Sequence, residues 1–263
     1  MTPKEQNQDR VYHLNLAKGD LDGAAVALLP GDPFRVPAVA GEIQDTFGGE
    51  AKEIAWKREF RTIRCRFDNH SVLVTSTGIG GPSAAIVIEE LAMVGIRTFL
   101  RVGTTGAIQP AVAVGDVVIT TGSVRLDGTS THYAPVEYPA VAHHEVVAAL
   151  IRGARTRRLT YHVGITVSSD TFYPGQERYD SFTGQVPKKF RGIMEEWRNL
   201  NVLNCEMESA ALLTLTAAMG LRGGCVTGVL CNRLHAETIG DDDLMRGERN
   251  AIAAAVSSLE YLI

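Results

Sequence analysis

Short apolar runs recur along the chain, many of them closing on a glycine or threonine. AAVALLP (24–30), TIRCRF (62–67), SVLVTST (71–77), RTFLRVG (97–103), GDVVITTGSV (115–124), YHVGITV (161–167) and GGCVTGVLCN (223–232) have the length and residue types of strands. Between several of them apolar residues return at helical spacing. GPSAAIVIEELAMVG (81–95) does so and ends on Gly95, placed as a C-terminal cap. EVVAALIRGAR (145–155), MESAALLTLTAAMG (207–220) and DDLMRGERNAIAAAVSSLEYLI (242–263) read the same way. Continuously apolar strands alternating with helices predict an α/β fold, a central mixed β-sheet covered on both faces. With no linker, repeat or low-complexity stretch, one domain is expected over residues 11–263. The polar start MTPKEQNQD reads as a flexible tail over residues 1–10.

Composition narrows the function classes. At 263 residues and 45% hydrophobic content the chain can build a core without disulfide or metal support. The formal charge is −4 and lysine and arginine form no basic stripe, so a nucleic-acid polymer is not the expected partner. Cys65, Cys205, Cys225 and Cys231 show no C-x-x-C spacing, and three of them lie in apolar runs, as buried thiols of a reducing compartment do. The sequence shows no signal peptide and no apolar stretch of membrane length. The expectation is a cytoplasmic protein without a membrane partner.

In sheets of this class ligands sit beyond the carboxyl ends of the strands, so the chemistry is sought there. LLPGDPFR runs from a strand into Gly31, Pro33 and Arg35: an anion site, or a turn with a solvated arginine. TSTGIGGPS resembles a dinucleotide fingerprint, but the final glycine is replaced by Ser83 and no acid follows the next strand. Its glycines suit close backbone packing near a ligand instead. In FLRVGTTGAI, Arg101 lies inside an apolar strand ahead of Thr104, and a buried guanidinium requires a carboxylate or an anion beside it. NCEMESAA sets Glu206 and Glu208 before a helix, where they stabilise its start or grip ribose hydroxyls, with Met207 as apolar surface between them. VLCNR ends a strand in Asn232 and Arg233 ahead of a polar segment that could act as a lid. SSDTFYPGQERYD gathers Phe172, Gln176 and Arg178, an aromatic face, an amide and a guanidinium suited to a small flat heterocycle.

Together these segments resemble the nucleoside phosphorylase family, and within it the members that act on uridine. The carriers are LPGDPFRV, STGIGGPS, RTFLRVGTTGAIQP, VRLDG, SSDTFYPGQERYD, MEEW, EMESA and VLCNR, in family order over roughly residues 11–260. PGQERYD and EMESA are the most specific, whereas PGDP and GTTGAI are shared with relatives acting on purine nucleosides. The resemblance implies reversible phosphorolysis of uridine to uracil and ribose 1-phosphate, with inorganic phosphate as co-substrate and no cofactor needed for the chemistry. It implies phosphate contacts by Gly31, Arg35, Arg101 and Thr104, joined by Arg58 of a neighbouring subunit. Ribose contacts fall on Met207, Glu208 and the neighbour's His13, and uracil contacts on Phe172, Gln176, Arg178 and Arg233. Arg101, Glu208 and Arg178 match the catalytic positions. It further implies a hexamer of three dimers and a structural monovalent cation, K⁺, at Glu59, Ile79 and Ser83.

Purine-acting relatives carry an aspartate where Asn232 stands, and an amide cannot serve as that acid, which favours a pyrimidine. Two departures stand out. Tyr12 precedes His13 where relatives carry phenylalanine, and the segment after Arg233 is the least similar. Two further readings remain on sequence grounds, a nucleosidase using water and a non-catalytic nucleoside sensor.

Overall fold

The computed structural model describes residues 10–235 and 241–263, with the side chains of 241–244 left aside. In chain order its strands are β1 (Val26–Pro30), β2 (Glu50–Lys57), β3 (Phe60–Phe67), β4 (His70–Thr75), β5 (Thr98–Ala107), β6 (Val117–Leu126), β7 (Ala140–Val141), β8 (Tyr161–Ser169), β9 (Asn204–Glu206) and β10 (Arg222–Asn232). The helices are α1 (Val36–Phe47), α2 (Gly81–Val94), α3 (His144–Thr156), α4 (Ile193–Asn199), α5 (Ser209–Ala218) and α6 (Asp241–Ser258). The strands form one mixed sheet, as expected. β2, β3, β4, β1 and β5 follow one another across it, with parallel pairs β1–β4 and β1–β5. Beyond β5 the sheet curls. β5 pairs with β10, β10 with β6, β6 with β8, β8 with β9, and β9 returns to the tip of β5.

Period-two alternation divides the core. Val26 and Leu28 of β1 point into one apolar cluster with α1 (Val39, Ile43), α3 (Val146, Leu150) and α6 (Ile252, Val256). Ala27 and Leu29 point the other way, against α2 (Ile88, Leu91) and α5 (Leu212, Leu213). Both faces of the central strands are therefore buried, which is why their sequences read as continuous apolar runs.

The closed ring is held differently. Each of its strands supplies a buried polar side chain to one network. Asn204 of β9 donates through Nδ2 to Thr105 of β5 at 2.8 Å and to Thr227 of β10 at 3.3 Å. Its Oδ1 accepts from Thr166 of β8 at 2.9 Å, and Thr166 meets Thr120 of β6 at 2.7 Å. These groups tolerate burial because each finds a partner in another.

Differences from the sequence expectation are local. β2, EAKEIAWK, was not expected because it is mostly exposed and charged; an edge strand can carry such residues. A helix start was expected at Pro33, and α1 begins just beyond it, at Val36, though its extent was not marked. It follows a short 3₁₀ turn at Pro33–Arg35 that Asp32 caps by accepting from the Phe34 N–H at 2.8 Å. The tail expected over residues 1–10 lies, up to Asp9, outside the described residues. Among the described residues no helix is long and apolar enough to cross a membrane.

Replacing Asn204 with leucine strands the hydroxyls around it. The urea midpoint should fall by the equivalent of about 1–3 kcal/mol with the m-value unchanged. An unaltered midpoint would show that the ring does not depend on this network.

Candidate active site

A cavity of about 700 Å³ opens at the carboxyl ends of β1, β5 and β10. Gly31, Arg35, Arg101 and Thr104 line it at one end, Phe172, Gln176 and Arg178 line it from the loop after β8, and Met207 and Glu208 belong to the same wall. The residues expected from four separate stretches of sequence thus meet in one space.

Arg101 is the centre of the first end. It is 5% exposed, and its guanidinium folds back along β5 across Gly103, where a Cβ would lie 2.9 Å from Nη2. Glu206 accepts from Nε at 2.9 Å and Glu208 pairs with Nη2. The structure therefore realises the ion pair, yet Nη1 is buried and makes no hydrogen bond among the described residues. The two carboxylates divide their work. Glu206 also accepts from the N–H groups of Glu208 and Ser209 at 2.9 Å and from the Ser209 hydroxyl at 2.6 Å, so it starts α5. Glu208 accepts from the Gly80 N–H at 2.5 Å, which accounts for the glycine turn after β4.

Burial pushes both carboxyls upward. For Glu206 the Arg101 charge and the Ser209 hydrogen bonds outweigh it and hold the pKa below the usual carboxylate value. Glu208 stays above that value, because burial and the neighbouring Glu206 charge exceed what Arg101 returns. Arg101 is held in its charged form: burial opposes the charge, and Glu208 and Glu206 more than offset it.

The loop after β8 makes the other end. Gln176 and Arg178 are buried, and the Arg178 guanidinium lies over the half-exposed Phe172 ring, 4.1 Å from its centroid. Between them Glu177, in the left-handed region at φ 51°, turns outward. Its carboxylate accepts from the N–H groups of Gly192 at 2.5 Å and Met194 at 3.1 Å, tying the loop to the start of α4. Glu177 was not singled out from the sequence for this anchoring role. Also unforeseen were Leu230, Cys205 and Cys231, which complete the wall. Cys205 sits 3.6 Å from Gln176 Oε1 and 3.7 Å from Arg233 Nη1.

Some expected residues lie elsewhere. Arg233 does not line the cavity; it packs over Gly106, against the far side of that wall. Asn232 spends its amide on structure, donating to the carbonyls of Gln109 and Val112 at 2.9 Å and accepting from Leu234 at 3.0 Å. Its strand-end role thus prevails over any part in choosing the base, and the base preference falls to the loop. His13 lines a second cavity of about 640 Å³, its Nδ1 2.7 Å from Glu90 Oε1, and Arg58 is exposed outside the first cavity. Glu59, Ile79 and Ser83 do gather at the cavity's edge, with Glu59 and Ser83 side chains flanking Gly78.

Residues 25–262 match the model of the Phosphorylase superfamily. The chain belongs to that superfamily. Over 253 residues, 96% of the chain and 98% of the relative, it is 51% identical to the uridine phosphorylase of Escherichia coli K12. The Haemophilus influenzae uridine phosphorylase is 46% identical over the same span. A guanosine phosphorylase of Halorubrum lacusprofundi is 35% identical over 93% of this chain and 94% of its own. The superfamily thus spans both base classes at this distance, and the cavity wall must decide between them.

Glu206→Ala should cost about 3–5 kcal/mol at neutral pH, because Arg101 is left buried with half its compensation. The wild-type contribution of Glu206 is present above the unfolded carboxylate range and is lost as pH falls through its lower folded value. Chemical denaturation at a series of pH values should therefore show the two proteins converging toward acid. A constant difference would mean that Glu206 does not act through its charge.

Proposed function

We propose that the protein catalyses the reversible phosphorolysis of uridine, giving uracil and ribose 1-phosphate, in the salvage or catabolism of pyrimidine nucleosides in the cytoplasm. One observation carries the reading. Arginines suited to an anion, an aromatic–amide–guanidinium set suited to a flat heterocycle, and the Glu208 carboxylate all line a single cavity. Phosphate on Gly31, Arg35, Arg101 and Thr104 faces the glycosidic carbon of a nucleoside whose ribose rests on Met207 and Glu208. The glycosidic bond breaks as phosphate oxygen bonds to that carbon, and the bonding pair leaves with the base. Negative charge then grows on the uracil ring, where Gln176 and Arg178 hold it better in the transition state than in the ground state. Glu208 orients the ribose through its hydroxyls, and the remaining rate gain is positioning. No protein nucleophile and no cofactor is needed.

In this reading a second copy of the chain completes the site with Arg58 and His13, within a hexamer of three dimers. The support is the position of both residues outside their own chain's main cavity, with exposed apolar side chains nearby: Tyr12 packs edge-on against His13, and Trp56, itself in contact with Phe34, donates to the Arg58 carbonyl. Glu59, Ile79 and Ser83 would hold a structural K⁺ there; carboxylate and hydroxyl oxygens suit a hard cation. Arg233 would approach the uracil O4 edge from the segment that follows β10.

Uracil release from uridine should require phosphate and yield ribose 1-phosphate, with inosine and guanosine turned over more slowly. Release without phosphate would make the protein a nucleosidase, and no release a sensor. Arg178→Ala should lower kcat/KM for uridine by roughly 10²-fold or more, the loss typical of removing a transition-state donor, without unfolding the protein. Sharing has its own test. Co-expressed Arg58→Ala and Arg101→Ala chains should regain activity that neither has alone, since mixed dimers hold one intact site. A mixture no better than its parts would restrict each site to one chain.

A further inference from the structure

Arg35, on the 3₁₀ turn after β1, and Arg101, within β5, both line the cavity, and each is gripped at the same atom. Glu206 holds Arg101 Nε at 2.9 Å, and Glu248 of α6 holds Arg35 Nε at 2.7 Å. A guanidinium carries five N–H donors. On Arg101 a second carboxylate, Glu208, takes Nη2 as well; on Arg35 the carboxylate at Nε leaves the opposite, two-pronged edge for a second anion, the edge that phosphate takes bidentately.

The segment bearing Glu248 is fixed on both sides. Asn250 donates to the Gly115 carbonyl at 2.7 Å and Arg246 to the Val114 carbonyl at 3.2 Å. Gly247 lies against β10 so closely that a Cβ on Gly228 would stand 1.8 Å from the Gly247 carbonyl oxygen. A carboxylate carried on so well-anchored a turn is a fixed support for the arginine beside it. Arg35 itself comes from the short 3₁₀ turn at Pro33–Arg35, and Glu248 is the carboxylate that holds its stem.

We infer that Glu248 is a positioning residue for phosphate: it locks the Arg35 guanidinium so that its free edge faces the cavity. The inference rests on the phosphorolysis reading of the site and adds to it a residue from the C-terminal helix. Two alternatives oppose it. If Glu248 competes with phosphate for Arg35, removing it should tighten phosphate binding. If it only stabilises α6, its removal should disturb the whole enzyme evenly.

The test measures binding of inorganic phosphate by calorimetry, beside KM for phosphate and for uridine, in wild type, Glu248→Ala and Glu248→Gln. Phosphate affinity and its KM should weaken roughly tenfold in Glu248→Ala, the lower end of what losing an orienting partner costs a ligand-binding side chain. KM for uridine, and kcat at saturating phosphate, should stay within about twofold by the same reasoning. Glu248→Gln, whose amide oxygen still accepts from Nε, should recover part of the loss. Glu145→Gln, which removes an exposed ion pair with Arg222, serves as the control. Tighter phosphate binding in Glu248→Ala, unchanged binding, or an equal loss in both KM values would each overturn the inference. A wild type that binds phosphate but releases no uracil would sink the functional reading and leave this one standing.

Discussion

The charge of Arg101 is the constraint around which the site is arranged. An ionised guanidinium at 5% exposure is sustained only by counter-charge at contact distance, and Glu206 and Glu208 supply it. Meeting that requirement fixes much else. Gly103 is the residue over which the side chain folds, Ser209 and the first turn of α5 hold Glu206, and the Gly80 N–H holds Glu208. The strand, the glycine turn and the helix start are thus joined by one cation. What remains of its bonding capacity is Nη1, buried and without a hydrogen bond among the described residues.

Most of the sheet was legible because both of its faces are buried, so its strands announce themselves as apolar runs without needing a partner to be known. β2 was not legible for the converse reason: an edge strand answers to solvent, and EAKEIAWK reads as a charged loop. The start of α1 was signalled by Pro33, but its extent was not, because VPAVAGEIQDTF lies behind a 3₁₀ turn and contains a glycine, which blurs its period. The ring formed by β5, β10, β6, β8 and β9 could not have been read at all. It depends on which threonines face one another, and a threonine in a strand is commonplace until its neighbours are known.

The site divides along a similar line. Arg101, Gln176 and Arg178 were conspicuous as polar groups set among residues that bury, and they do meet in one cavity. Asn232 was conspicuous too, and misled, since its two carbonyl partners lie 120 and 123 residues upstream. Glu177 and Glu248 gave no signal. Each sits in a polar stretch where a carboxylate is unremarked, and its importance comes from an N–H or a guanidinium delivered by another element. Polar residues that bind ligand stand out in a chain; polar residues that hold those residues still do not.

Closure of the ring also orders events as the chain is made. β5 must wait for partners far along the sequence: Thr105 meets the backbone of Cys205 across 100 residues, and Thr98 meets Arg222 across 124. Loop-closure entropy delays contacts of that span, although each doubling of loop length adds only about 0.6 kcal/mol. On the ribosome the β1–β5 half of the sheet can assemble while the far edge of β5 stands open. That edge is covered only when β10 emerges, so a chain halted before residue 222 presents an unpaired central strand where the finished protein presents its catalytic floor.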